Sequence, residues 1–138
     1  MNRLVLQELS KIRRKEAAAL LKAKHYSGAY YLLGYSIECA LKACIAKQTN
    51  KHDFPNKDLA NKAYVHNLEQ LIKLAGLEND LDNDIKANRT LEVNWAVVKD
   101  WKESSRYICS ITPADAKDFY SACTSRTNGI LSWIKEKW

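Results

Sequence analysis

Glu38 and Lys42 stand four residues apart in the middle of an otherwise apolar run, residues 29–46. Unpaired charges in such a run are costly, so the two either pair with each other or line a polar cleft between helices. Glu ahead of Lys at i,i+4 is the favourable order for an ion pair on one helix face. A second group, Arg106-Tyr107 beside Trp101, combines a guanidinium with aromatic rings. Such a cluster can stack a base and pair a phosphate. Alternatively, Arg106 caps a helix end or pairs with Glu38 while Tyr107 fills the core. If Arg106 reaches Glu38, Lys42 is freed to face an anion, and all three converge on one polar site.

The remaining titratable groups are scattered. His25 falls at a helix break, His52 in a polar stretch, and His66 at the start of a helix, where an imidazole can bond free backbone groups. No glycine-rich phosphate loop, His-Glu-x-x-His metal motif or nucleophile elbow occurs. Cys39, Cys44, Cys109 and Cys123 form no Cys-x-x-Cys pair, and no histidine stands at a zinc-finger spacing. Free thiols in a reducing cytoplasm are the expectation, with no metal and no cofactor.

These groups must be positioned by helices. Among 138 residues there are 4 Gly and 2 Pro, too few for a many-turned sandwich or barrel. Hydrophobic residues make up 46% and charged residues 28%, which excludes wholesale disorder and suits one domain spanning 1–138. The first helix is expected over residues 3–24, with Val5, Leu9, Ile12, Ala19 and Leu20 on its apolar side. Gly28 would supply a left-handed cap before the second helix, residues 27–48. That helix is apolar nearly all round and belongs at the centre of a bundle. Its small residues Ser36, Cys39, Ala40 and Ala43 would let another backbone approach closely.

Residues 49–63 read as a loop around Pro55. A third helix follows over 66–75, ended by Gly76-Leu77, then an acidic connector over 78–84. A fourth helix covers 91–102. Thr112-Pro113-Ala114-Asp115 starts a final helix over 113–135, with a kink or close contact at Gly129. The fold class is therefore all-α, an antiparallel bundle of four to five helices.

Charge is uneven along the chain. Residues 1–50 hold nine Lys/Arg against three acids, within a total of 22 against 16 and a net +6. The excess either forms a solvated helix face or attracts a polyanion such as RNA. No apolar run has the length and flanks of a signal peptide, and residues 29–46 are interrupted by charge, so no membrane association is expected.

The run from His25 to Ala43, with its Glu38-Cys39-Ala40-Leu41-Lys42-Ala43 core, resembles the central helix of HEPN-domain proteins. The similarity continues at Val65-His66-Asn67-Leu68, at Leu74-Ala75-Gly76-Leu77, at Trp101 with Ser105-Arg106-Tyr107, and on to Trp133. The resemblance implies an intracellular helical bundle that often dimerises. It also implies a nucleotide or RNA ligand, or a minimal nucleotidyltransferase as partner.

Nucleases of that family place His four to six residues after an Arg. Here Arg106 is followed by Ser110, Ile111 and Thr112 at those offsets, and Arg126 by Ile130, Leu131 and Ser132. No histidine lies after His66, and proton shuttling near neutral pH is histidine's task. A binding module is therefore expected, with Glu38, Lys42, His66, Arg106 and Tyr107 as its binding residues. The alternative is an RNase-type toxin of a toxin–antitoxin pair that uses His66 from another helix. Either would act as a homodimer or with its partner chain; the four tryptophans and the small-residue face of the second helix are the expected contacts.

Overall fold

The computed structural model describes residues 2–48 and 57–138, and these form an all-helical structure. Its elements are α1 (Arg3–Lys22), α2 (Tyr26–Lys47), α3 (Lys57–Lys62), α4 (Leu68–Leu74), α5 (Glu78–Ala87), α6 (Arg89–Val98), a 3-10 turn (Glu103–Tyr107), α7 (Pro113–Thr124) and α8 (Ile130–Lys135). α2 is the hub: it packs against α1, α4, α7, α8 and the 3-10 turn. Its residues Leu33, Ile37 and Leu41 are at most 1% exposed, as an all-round apolar helix requires. No described helix is long and apolar enough to cross a membrane.

α1 and α2 form an antiparallel hairpin fastened by two serines. Ser10 Oγ donates to the Ser36 carbonyl at 2.8 Å, and Ser36 Oγ donates to the Ser10 carbonyl at 2.6 Å. This reciprocal pair fixes the rotation of α1, so its buried residues are Leu6, Ser10 and Ala17. The expected apolar side was wrong by part of a turn, since Val5 and Ile12 remain 43% and 38% exposed. Ser36, Cys39, Ala40 and Ala43 are all buried within the chain, so that face of α2 is spent on internal packing. Trp95, Trp101 and Trp133 are likewise buried in the core and present no docking surface.

Several boundaries differ from expectation, each for a local reason. The turn after α1 is made by Lys24, whose φ is 65°, while Gly28 lies inside α2. His25 N–H donates to the Leu20 carbonyl and Lys24 N–H to the Leu21 carbonyl, the pair of bonds that closes a helix around a left-handed residue. Gly76 plays that part after α4, at φ 72°, where Leu77 and Gly76 donate to Ile72 and Lys73.

α4 begins at Leu68 because Asn67 caps it through Gln70 N–H, which leaves His66 just outside the helix. Residues 78–84 are not a connector but the start of α5: Glu78 and Asp80 favour a helix N-terminus, and Leu81 with Ile85 packs inward one turn apart. Of the stretch read as a loop, residues 57–62 are helical; Pro55 and His52 lie outside the described residues. The expected final helix divides into α7 and α8. Gly129 caps α8, and a Cβ there would meet the Ser125 carbonyl oxygen at 2.3 Å.

All four cysteines are free. Burial pushes the Cys39 and Cys44 thiols up to about 11 and Cys123 well above its ordinary value. The folded state thus retains thiol protons that the unfolded chain releases near pH 9. Stability is fully present below that pH and falls as pH rises through about 11. Thermal unfolding followed from pH 8 to 11 is expected to show this decline, and Cys39→Ala/Cys44→Ala is expected to flatten it. An equal decline in that variant would assign the effect to other groups.

Candidate functional site

One stripe of α2 carries Tyr31, Gly34, Glu38 and Lys42 toward the segment 101–107. The Tyr31 ring stacks on Trp101, with centroids 6.2 Å apart and planes at 25°. The Trp101 indole lies directly on Gly34, where no side chain stands in its way. One turn further along, Glu38 is 1% exposed, and side chains on a helix lean back over the preceding turn. The indole seat and the carboxylate are therefore neighbours by construction.

Glu38 holds two nitrogen groups through one oxygen. Lys42 Nζ donates to its Oε1 at 2.8 Å, and His66 Nδ1 lies 2.7 Å from the same oxygen. On its other side, His66 Nε2 is 3.0 Å from Glu103 Oε2. Only an imidazolium has a proton for both carboxylates; a neutral ring can donate to one of them. The line Glu38–His66–Glu103 thus ties α2, the approach to α4 and the 3-10 turn together.

Arg106 ends this line, its guanidinium 4.0 Å from Glu103 Oε2. It does not pair with Glu38, as the direct convergence required; His66 occupies that place. Lys42 is accordingly bound to Glu38 and not freed. Arg106 lies instead 4.8 Å from the centroid of the Tyr107 ring. Hydrogen bonding to Tyr107 first, and to Tyr31 second, raises its pKa above the ordinary arginine value. Tyr107 is 74% exposed, so it does not fill the core.

His66 and Glu103 also line an open cleft of about 430 Å³ with Val65, Asn67, Gln70, Lys102 and Ser104. A smaller cleft of about 250 Å³ between α4, α5 and α6 is walled by Ile72, Leu81, Ile85 and Trp95 and mostly rimmed by acids. The larger one adjoins Arg106 through Glu103, which lines it.

Three buried polar atoms in this region have no protein partner: Glu38 Oε2, Trp101 Nε1 and Ser105 Oγ. Among the described residues, no three His, Cys, Asp or Glu side chains are grouped to hold a metal ion. His66 cannot bring Glu38 and Glu103 onto one ion, because they occupy opposite ring nitrogens.

Of the five candidate residues, the structure joins Glu38, Lys42 and His66 directly and adds Arg106 and Tyr107 through Glu103. Glu103 escaped the sequence reading. Its one signal was the Glu-x-x-Arg spacing to Arg106, which is common on surfaces. His25 precedes α2 without making a side-chain cap bond. Comparison with family models, curated proteins and solved structures gives no match to this chain.

Proposed function

We propose that this chain is a HEPN-like binding module that takes a nucleotide or a short stretch of RNA beside the 3-10 turn. The observation that carries the reading is the exposed Arg106–Tyr107 pair, joined through Glu103 to a cleft that Glu103 lines with His66 and Lys102. An aromatic face accepts any base, and a guanidinium forks onto phosphate. His66 and Glu103 place that guanidinium, because Glu103 lies between the imidazole and Arg106. The sequence resemblance supports the same reading, and the missing Arg-x4–6-His spacing argues for binding without cleavage.

In this reading the module works as a homodimer or beside a minimal nucleotidyltransferase in the cytoplasm. The support for a partner is exposed apolar surface at Tyr64, Tyr107 and Ile108, which are 77%, 74% and 44% exposed.

A second reading, RNA cleavage by a toxin, has one observation in its favour. His66 is oriented between two carboxylates, as a general acid or base needs to be. Against it, both ring nitrogens are already engaged.

Fluorescence anisotropy with labelled adenosine nucleotides and short RNA separates these readings. Arg106→Ala should weaken binding about tenfold or more, the scale of one charge-assisted hydrogen bond. Unchanged affinity in Arg106→Ala and in Tyr107→Ala would remove the binding reading. RNA cleaved by the parent chain but intact with His66→Ala would replace it with the second.

A further inference from the structure

The opposite side of the chain carries a set of cations that the site at the 3-10 turn does not use. Arg3, Lys11 and Arg14 fall on one edge of α1 at spacings of eight and three, with Glu8 beside Lys11 as the neighbouring acid. Lys135 and Lys137 from the end of α8 meet them. Lys11 and Lys135 Nζ lie 6.0 and 5.8 Å from the centroid of the half-buried Trp138 ring. Lys137 sits 4.5 Å over Trp133, while its carbonyl accepts from Lys47 Nζ at 3.3 Å.

Among the described residues, little compensates this charge. The carboxylate within reach is Glu8, 4.0 Å from Lys11, with both side chains at least half exposed. Among the described residues, Arg3, Arg14, Lys135 and Lys137 form no ion pair. Burial first, then Arg14 and Lys11, lowers the Lys135 pKa from its ordinary value. An anion would relieve the repulsion among like charges held together this way.

We propose that the α1–α8 edge is a track for a single-stranded polynucleotide, its phosphates on Arg3, Lys11, Arg14, Lys135 and Lys137 and a base on Trp138. From Arg3 to Arg14 the helix rises about 16 Å, 11 residues at 1.5 Å each. That length spans roughly five phosphates at about 3.4 Å per stacked nucleotide. Trp138 decides between partners. An acidic peptide needs the cations alone, whereas a sequence-tolerant strand binder interleaves them with aromatic faces. The track goes beyond the nucleotide site and does not depend on it.

The test is anisotropy of the full chain with a 15-nucleotide RNA and the matching single-stranded DNA across a salt series. Lys11→Ala/Arg14→Ala/Lys135→Ala should lower the slope of log K against log salt by about 2, at ~0.7 per phosphate contact. Lys57→Ala/Lys86→Ala/Lys117→Ala removes the same charge elsewhere and should leave most of the slope. Trp138→Ala should weaken binding severalfold with the slope unchanged, since stacking displaces no counterion. Lys11→Arg/Lys135→Arg should retain the slope.

Equal slope losses in the two triple variants would reduce the track to net charge and overturn it. So would an unchanged slope in the first triple variant, loss of slope in the arginine variant, or unaltered affinity in Trp138→Ala. Binding to phosphatidylserine vesicles or polyglutamate without binding to either oligonucleotide would overturn it as well. Equal binding of RNA and DNA supports backbone recognition, and a preference for one supports the track while identifying the sugar. Loss of mononucleotide binding in Arg106→Ala with an intact slope tests the other site alone, so either can fail without the other.

Discussion

Gly34→Ala is expected to destabilise this chain more than any other addition of one carbon atom in α2. The new Cβ would lie 2.1 Å from Trp101 Cε2 and Nε1 and 2.3 Å from Cδ1. Separations this short force the ring to move, and Trp101 is 1% exposed with Tyr31 stacked against it. Two effects oppose each other. Alanine in place of glycine inside a helix gains about 1 kcal/mol. Overpacking a filled core costs about 1–3 kcal/mol and occasionally more. With an indole in the way, the second effect wins.

With the cost at its upper end the net loss is about 2 kcal/mol, a drop in Tm of about 6–10 °C at roughly 3–5 °C per kcal/mol for a chain of this size. Nucleotide binding should weaken along with it, because the indole seat places Ser105, Arg106 and Tyr107. Trp101→Phe offers the control. The Trp101 N–H has no protein acceptor, so the smaller ring loses no hydrogen bond within the chain and makes room for the methyl group. Trp101→Phe in the Gly34→Ala background should recover part of the Tm. A Tm equal to or above that of the parent in Gly34→Ala alone would show that the indole is not seated there.

This contact also marks where sequence reading stopped. The apolar periodicity of residues 27–48 made the central helix legible, because burial on every side leaves few alternatives. Thr112-Pro113 and Gly76-Leu77 were equally clear, since capping chemistry is local. What failed depended on contacts distant in sequence. The face of α1 is chosen by Ser10 meeting Ser36, 26 residues away, and two small polar residues outweigh Val5 and Ile12. α5 hid behind its acids, because Leu81 and Ile85 are a short apolar signal among charges. At the site, Glu38 and Lys42 were legible as a pair four residues apart. The partner on the other side of Glu38 was not, because His66 and Arg106 are equally plausible cations until the turn before α4 is placed.

That placement carries the second large effect, expected for His66→Ala. The Glu38 side chain is 2% exposed and is held by Lys42 and His66 through the same oxygen, while Oε2 has no protein partner. A hydrogen bond to a charged group is worth about 1.5–3 kcal/mol. Lys42 stays at 2.8 Å and keeps Glu38 paired, but the carboxylate is buried, so a loss near the upper end, about 3 kcal/mol, is expected for His66→Ala. Glu38→Gln removes the charge that His66 answers, so in that background His66→Ala should cost only about 1 kcal/mol, the scale of a neutral hydrogen bond.

The difference, about 2 kcal/mol, is the coupling that a double-mutant cycle in urea would read. Energies that add to within about 0.5 kcal/mol would place His66 outside the Glu38 pair. Glu103 gives the cycle its functional counterpart. It is bound to His66 and lies beside Arg106, so Glu103→Gln should loosen the 3-10 turn without exposing Glu38. Nucleotide affinity should then fall more than stability does, whereas His66→Ala should lower both. The buried carboxylate anchors the core end of the line, and the exposed one sets the guanidinium at its outer end.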